Sequence, residues 1–180
     1  MIDGLSYLNV FTEEEQSEIL EELDDLPWLN DLKRQVQHYG YKYDYTAKRI
    51  DLSMHVGELP EFATKIGQQL IDLGVMEIMP DQLIVNEYMP GQGINPHVDC
   101  VPCFTGKIVT VSLGWAYEIE FVKYGEKHKL LLETGSVMSI SGEARYHWTH
   151  GIRARKKDGK VERQRRVSLT FRNVILAEEL

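Results

Sequence analysis

His97-Val98-Asp99 is the segment of this chain whose residue types and spacing most plainly could do chemistry. In an extended strand Val98 points away, so the imidazole and the carboxylate project from one face. Further on, Tyr146-His147-Trp148-Thr149-His150-Gly151-Ile152 offers two histidines, His147 and His150, either of which could add a third ligand. Two imidazoles and one carboxylate make a facial triad. Such a triad leaves coordination positions open and suits non-haem Fe(II) that must also bind a cosubstrate and O₂. Downstream runs Arg166-Val167-Ser168-Leu169-Thr170-Phe171-Arg172. Alternation puts Arg166, Ser168, Thr170 and Arg172 on one face and the apolar residues on the other. Two guanidiniums on one face form a permanently charged clamp for an anionic ligand. Asn86 and Tyr88 share a face in the same way. Polar strand faces usually meet water, but beside a metal triad they are expected to line a cavity with an anionic occupant.

Those residues need elements to hold them. Gly4 to Phe11 reads as a first strand. Thr12-Glu13-Glu14-Glu15 matches a capping box that opens a helix, which Leu26-Pro27 ends, because a residue before proline avoids helical backbone. A second helix is predicted from Glu61 to Leu73, with Phe62, Ile66, Leu70 and Leu73 on one stripe and Gly74 as its C-cap glycine. From residue 82 the apolar period changes to two. Strands are predicted over 82–88, 107–114, 119–124, 127–132, 136–140 and 165–174, with Tyr124-Gly125-Glu126 as a tight hairpin turn. Many short strands preceded by two helices suggest a double-sheet jelly roll. Lys156 to Lys160 reads as an exposed loop. Tyr39, Tyr41, Tyr43 and Tyr45 alternate, so they should share one strand face, either for packing or for stacking on a base.

The chain of 180 residues matches the length of one domain. It has 28 acidic against 20 basic residues, a net charge of −8, which gives no global attraction to nucleic acid. The basic residues nevertheless crowd residues 153–166, directly after the last histidines, and this places them near the mouth of any site there. The run is either a solvated loop or a phosphate contact made by Arg153, Arg155 and Lys156. No apolar run is long enough for a membrane span, and the N-terminus lacks signal-peptide character. Cys100 and Cys103 are too few and too close for a disulfide framework. They are expected to be small core or loop residues, in a protein of the reducing cytoplasm or nucleus. A zinc site built from them with His147 and His150 is disfavoured by the wide separation of the two pairs.

Several segments carry a family resemblance. The run from Asn86-Glu87-Tyr88-Met89-Pro90 through Gly93-Ile94-Asn95-Pro96-His97-Val98-Asp99 resembles the signature stretch of the AlkB family of Fe(II)/2-oxoglutarate-dependent dioxygenases. Ser141-Gly142-Glu143-Ala144-Arg145 through His150-Gly151-Ile152 resembles the family's third-ligand segment, and Arg166 to Arg172 its C-terminal strand. Gln37 to Tyr43 is more weakly similar to a segment that precedes the barrel. The likeness runs in order over residues 82–174 and is nearest to the AlkB-like domain of the eukaryotic tRNA wobble-uridine hydroxylase.

The resemblance implies an α+β, mainly β fold: a double-stranded β-helix (jelly-roll) with N-terminal helices packed on one side. Residues 1–180 would form one dioxygenase domain. Within it, 1–80 would be a helical N-terminal extension and substrate-recognition segment, and 82–174 the catalytic jelly-roll. It implies Fe(II) on His97, Asp99 and His150, preferring His150 to His147. It implies 2-oxoglutarate held by Arg166 and Tyr88 at the distal carboxylate and by Arg172 and Asn86 nearer the metal, with Ser168 where many members have Asn. The implied reaction uses O₂, decarboxylates 2-oxoglutarate to succinate and hydroxylates a substrate C–H bond; at an N-methyl group this releases formaldehyde. The implied substrate is a modified nucleic acid, RNA or DNA, in repair or RNA modification, with Tyr39, Tyr41, Arg153, Arg155 and Lys156 contacting it. Val101 stands where nucleobase-repair members carry an acidic residue. The alternatives are a protein or small-molecule hydroxylase on the same scaffold and a non-catalytic binding module. A monomer is expected.

Overall fold

The computed structural model describes residues 1–30, 32–44 and 46–177; Tyr45, the last of the alternating tyrosines, lies outside them. Two antiparallel sheets pack face to face. The major sheet has seven strands in the order β1 (Leu5–Asn9), β9 (Ser136–Ile140), β6 (Ile108–Leu113), β13 (Arg166–Arg172), β4 (Gln82–Tyr88), β2 (Val36–Tyr41) and β3 (His55–Gly57). The minor sheet runs β5 (Ile94–His97), β10 (Thr149–Ile152), β7 (Tyr117–Lys123) and β8 (Glu126–Leu132). A ribbon of two short strands, β11 (Lys157–Asp158) and β12 (Val161–Glu162), stands apart. This is the mainly β jelly-roll that the alternating segments predict. Three strands of the major sheet come from the first 80 residues, which therefore contribute more than helices.

Alternation sorts each strand of the major sheet into two environments. Leu83 and Val85 of β4, Val109 and Val111 of β6, Val137 of β9, and Leu169 and Phe171 of β13 form one core with the helices α1 (Glu13–Asp24) and α2 (Glu61–Asp72). Helix α2 gives this core Phe62, Ile66 and Leu70, each 7% exposed or less, and full burial of such a side chain stabilises by roughly 1.5–3 kcal/mol. Helix α1 starts at the expected capping box: Glu15 N–H donates to Thr12 Oγ1, and Glu15 Oε2 accepts from Thr12 N–H at 2.8 Å. The opposite strand face turns inward. There Tyr88, Ile108, Met138 and Ile140 share a second core with Ile119, Phe121 and Ile152 of the minor sheet.

Local backbone chemistry accounts for the turns. Tyr124 and Gly125 both have positive φ, 49° and 87°, as a two-residue type I′ hairpin between β7 and β8 requires. Gly40 has φ 76°, and a Cβ there would lie 1.9 Å from the Asp81 carbonyl oxygen. The β2–β3 register shifts at this glycine. As a result the tyrosines do not share one environment. Tyr39 packs edge-on against Phe62, whereas Tyr41 meets His55 and Tyr43 meets Phe104. Lys156 to Lys160, expected as an open loop, is partly the β11–β12 ribbon, with Lys157 opposite Glu162. Cys100 and Cys103 are bonded to each other rather than free, since a tight turn brings their Cα atoms to 5.2 Å.

Candidate metal and cosubstrate site

The triad is assembled by strand pairing in the minor sheet. β5 and β10 are antiparallel, and His97 is the register partner of His150. Their rings lie 4.6 Å apart. Asp99, two residues past His97, completes the group, and one ligand atom from each of the three lies within 4.8 Å of the others. His147 caps the short helix α3 (Gly142–Tyr146) and is exposed, so the open choice between the two histidines closes on His150.

Neighbouring groups prepare these ligands. His97 Nδ1 lies 2.8 Å from the Asn95 carbonyl oxygen. Donation there leaves Nε2 with the lone pair that a metal needs. Burial, and then the adjacent His150, push the His97 pKa down, which favours the neutral, ligating ring. Burial would raise the Asp99 pKa, but Arg172 and the two histidines outweigh it and hold the carboxyl far below the usual range. Arg172 donates to Asp99 Oδ1 at 2.8 Å. Asp99 Oδ2 lies 3.4 Å from His150 Nε2 and is the oxygen left for a metal. Arg145 of α3, fully buried, donates to the carbonyls of Asp99 and Cys100 at 2.9 and 3.2 Å, which pins the turn that carries the carboxylate.

A cavity of about 580 Å³ opens beside the triad. The strand face expected to be polar lines it. Asn86 and Tyr88 of β4 sit opposite Ser168 and Arg166 of β13 in register, and all four, with Arg172, border the cavity. Arg166 is 1% exposed. Its Nη2 donates to Ser112 Oγ at 2.8 Å, but its Nε and Nη1 have no hydrogen-bond partner. Its guanidinium carbon lies 5.2 Å from the Tyr88 ring centre, and burial pushes its pKa down. No carboxylate pairs with it among the described residues. A buried, unneutralised cation is costly, and the cost is relieved by an anion entering the cavity. The donor set therefore fits Fe(II), and the arginine fits a dicarboxylate.

The expected substrate contacts are distributed differently. Tyr39 faces α2, and neither it nor Tyr41 borders the cavity; Tyr43 does. Arg153 is bound to Glu120, and Arg155 to Glu118 and Asp158, so both are already neutralised. Lys156 makes no ion pair among the described residues. Sequence reasoning missed Arg34, Lys48 and Ser112. Each comes from a segment distant in sequence and carries no local spacing pattern.

A jelly-roll of two antiparallel sheets with an open two-histidine, one-carboxylate triad beside an unneutralised arginine defines the class of non-haem iron oxygenases that take an anionic cosubstrate. The model of the 2OG-Fe(II) oxygenase superfamily matches residues 5–172. An uncharacterised mimivirus protein, L905, is 34% identical over 97% of this chain and 86% of its own length. The tRNA (carboxymethyluridine(34)-5-O)-methyltransferase alkbh8 of Xenopus tropicalis is 36% identical over 86% of this chain. An Arabidopsis thaliana protein named an alkylated DNA repair protein ALKBH8 homolog is 35% identical over 96% of it. The chain spans only 26% of the frog protein and 59% of the plant one. The solved structure of OsALKBH1 covers 94% of this chain with a TM-score of 0.72 at 21% identity, which supports the fold. This chain belongs to the 2OG-Fe(II) oxygenase superfamily, as an AlkB-type dioxygenase that uses Fe(II), 2-oxoglutarate and O₂. No helix among the described residues is long and apolar enough to cross a membrane.

Proposed function

We propose that the protein hydroxylates a C–H bond of a modified nucleic acid, with RNA as the preferred substrate. His97, Asp99 and His150 hold Fe(II). Arg166 takes the distal carboxylate of 2-oxoglutarate, with Tyr88 beside it. Asn86 and Ser168 line the same pocket, and Arg172 fixes Asp99 and the end nearer the metal. When bound, iron with 2-oxoglutarate and O₂ supplies the oxidising power for an unactivated C–H bond, and 2-oxoglutarate becomes succinate. The chain's own residues orient and exclude water: the two sheets would enclose the cosubstrate, and Arg172, bound to Asp99 Oδ1, would leave Oδ2 for the metal. The observation that carries the cosubstrate reading is Arg166, buried beside the triad with its Nε and Nη1 nitrogens unpaired. The substrate reading is supported by relatives whose names state action on tRNA and on DNA. Val101 in place of an acidic residue favours hydroxylation or modification over alkylated-base repair.

A protein or small-molecule hydroxylase is the second reading. It is favoured by the net charge of −8 and by the ion pairs that neutralise Arg153 and Arg155. The test is succinate formation with Fe(II) and 2-oxoglutarate across panels of modified RNA, DNA and peptides, with mass spectrometry of the products. We expect oxygen incorporation or formaldehyde on a nucleic-acid panel, lost in His97→Ala and Arg166→Ala. Turnover confined to peptides would establish the second reading, and no succinate from verified iron-loaded protein would overturn both.

A further inference from the structure

We infer that Arg34, from the segment ahead of β2, is a positioning residue of the cosubstrate pocket that acts through Tyr88 and Asn86. The inference rests on the cosubstrate reading above. Strand β2 pairs antiparallel with β4, Val36 opposite Asn86, and Glu87 N–H donates to the Gln35 carbonyl at 2.9 Å just beyond the last paired residue. Continuing that register by two residues sets Arg34 across from Tyr88. On the other side of β4, Arg166 of β13 is the register partner of the same tyrosine. Tyr88 is thus flanked in the sheet by two arginines, and each guanidinium carbon lies 5.2 Å from its ring centre.

The hydrogen bonds of Arg34 hold it over the pocket. Its Nη1 donates to the Gly93 carbonyl at 2.9 Å, and its Nε lies 3.5 Å from Asn86 Oδ1. Gln92 reinforces the closure, donating to the Lys33 carbonyl at 3.0 Å while its Oε1 accepts from Met89 N–H at 2.9 Å. The bridge between Leu29 and Val36 closes the loop that presents Arg34. Arg34 is half-buried, borders the metal cavity and makes no ion pair with any described carboxylate. A guanidinium over an aromatic face contributes most where the site is shielded from water. Here it fixes the ring that Arg166 leans on and the amide that faces Ser168. Removing Arg34 frees both pocket residues and opens the cosubstrate to water.

The test is calorimetric titration of 2-oxoglutarate into Mn(II)-loaded wild type, Arg34→Ala and Arg34→Lys, alongside metal affinity and thermal melting of each. We expect Arg34→Ala to weaken 2-oxoglutarate binding about tenfold, with Mn(II) affinity and melting close to wild type. Arg34→Lys keeps the charge but not the planar fork, so it should recover only part of the loss. In turnover, the KM for 2-oxoglutarate should rise more than kcat falls. Unchanged 2-oxoglutarate binding in Arg34→Ala, or a loss matched by equal losses of metal binding and melting, would overturn the inference while leaving the cosubstrate reading intact. A wild type that binds no 2-oxoglutarate would overturn the cosubstrate reading and this inference with it.

Discussion

Arg166 is a buried charge with no described carboxylate beside it, placed where an anionic ligand would neutralise it. Its guanidinium is buried, donates to one hydroxyl, and faces no described carboxylate. Replacing a buried ion pair by apolar side chains of similar volume is often neutral or stabilising by about 1–4 kcal/mol, and here no described carboxylate would be left unpaired by the change. Arg166→Met should therefore raise the urea midpoint of the ligand-free protein by an amount worth roughly 1 kcal/mol or more, while abolishing 2-oxoglutarate binding. A destabilised variant would mean that the Ser112 bond and the Tyr88 contact outweigh desolvation. At this scale the sequence carried much of the site. Arg166 and Arg172 sit where a period of two fixes the side-chain direction, so their shared cavity could be read directly. Asp99 lies beyond the end of β5, where Val98 also lines the cavity, so strand alternation does not place it. Ser112 and Arg34 could not be read that way, because register with distant strands, not local spacing, brings them to Arg166 and Tyr88.

The elements around the basic run decide which of its cations already have partners. Residues 153–166 look like a solvated cationic patch, yet Arg153, Arg155 and Arg163 pair with acids of β7 and of the run itself, and Arg165 with Asp24 of α1 and Glu87 of β4. Arg163, with a side chain 1% exposed, donates to Asp158 Oδ2 at 2.7 Å and sits over the Tyr117 ring. Arg155 bridges Asp158 and Glu118. Glu118 and Glu120 lie on a strand whose partner was legible, but their reach across to the basic run depends on β10, whose four residues show no clean alternation. Burial would raise the Asp158 pKa, but hydrogen bonds and charge from Arg163 and Arg155 win and lower it. Its folded value is therefore below its unfolded one. The stability it contributes is complete above the unfolded carboxylate value, about 3.9, and is lost as pH falls through the lower folded value. Asp158→Ala should cost about 3 kcal/mol by leaving buried Arg163 unpaired. It should also remove the acid-dependent loosening of the β11–β12 ribbon, which hydrogen exchange at 157–162 would report. Retained protection at neutral pH would mean that Arg163's bonds to the Arg153 and Arg155 carbonyls suffice.

For the whole molecule, the balance of charge sets how a nucleic acid could be held. A protein of net charge −8 repels a polyanion at long range, and Arg153, Arg155, Arg163 and Arg165 are each already held by a carboxylate. The cations left near the mouth are few. Lys48 borders the metal cavity and Lys33 the adjoining groove. Lys156 follows Arg155, whose carbonyl accepts from Gly91 N–H at the 89–93 turn. None of the three pairs with an acid among the described residues. Counterion release scales with the number of phosphates neutralised. Three lysines on a single strand should therefore give a slope of log affinity against log salt of about −2, well short of that of a dedicated nucleic-acid binder. Lys33→Glu and Lys156→Glu should each flatten that slope and weaken binding of a single-stranded oligonucleotide without changing the melting temperature. Arg155→Glu should act mainly by destabilising the fold, since it places a carboxylate beside Glu118 and Asp158. Fluorescence anisotropy across a salt series, with melting curves for each variant, checks this. If Arg155→Glu alone flattened the slope at unchanged stability, the ion pairs would have to open on binding. If no variant moved the slope, recognition would lie in the pocket and not in the backbone.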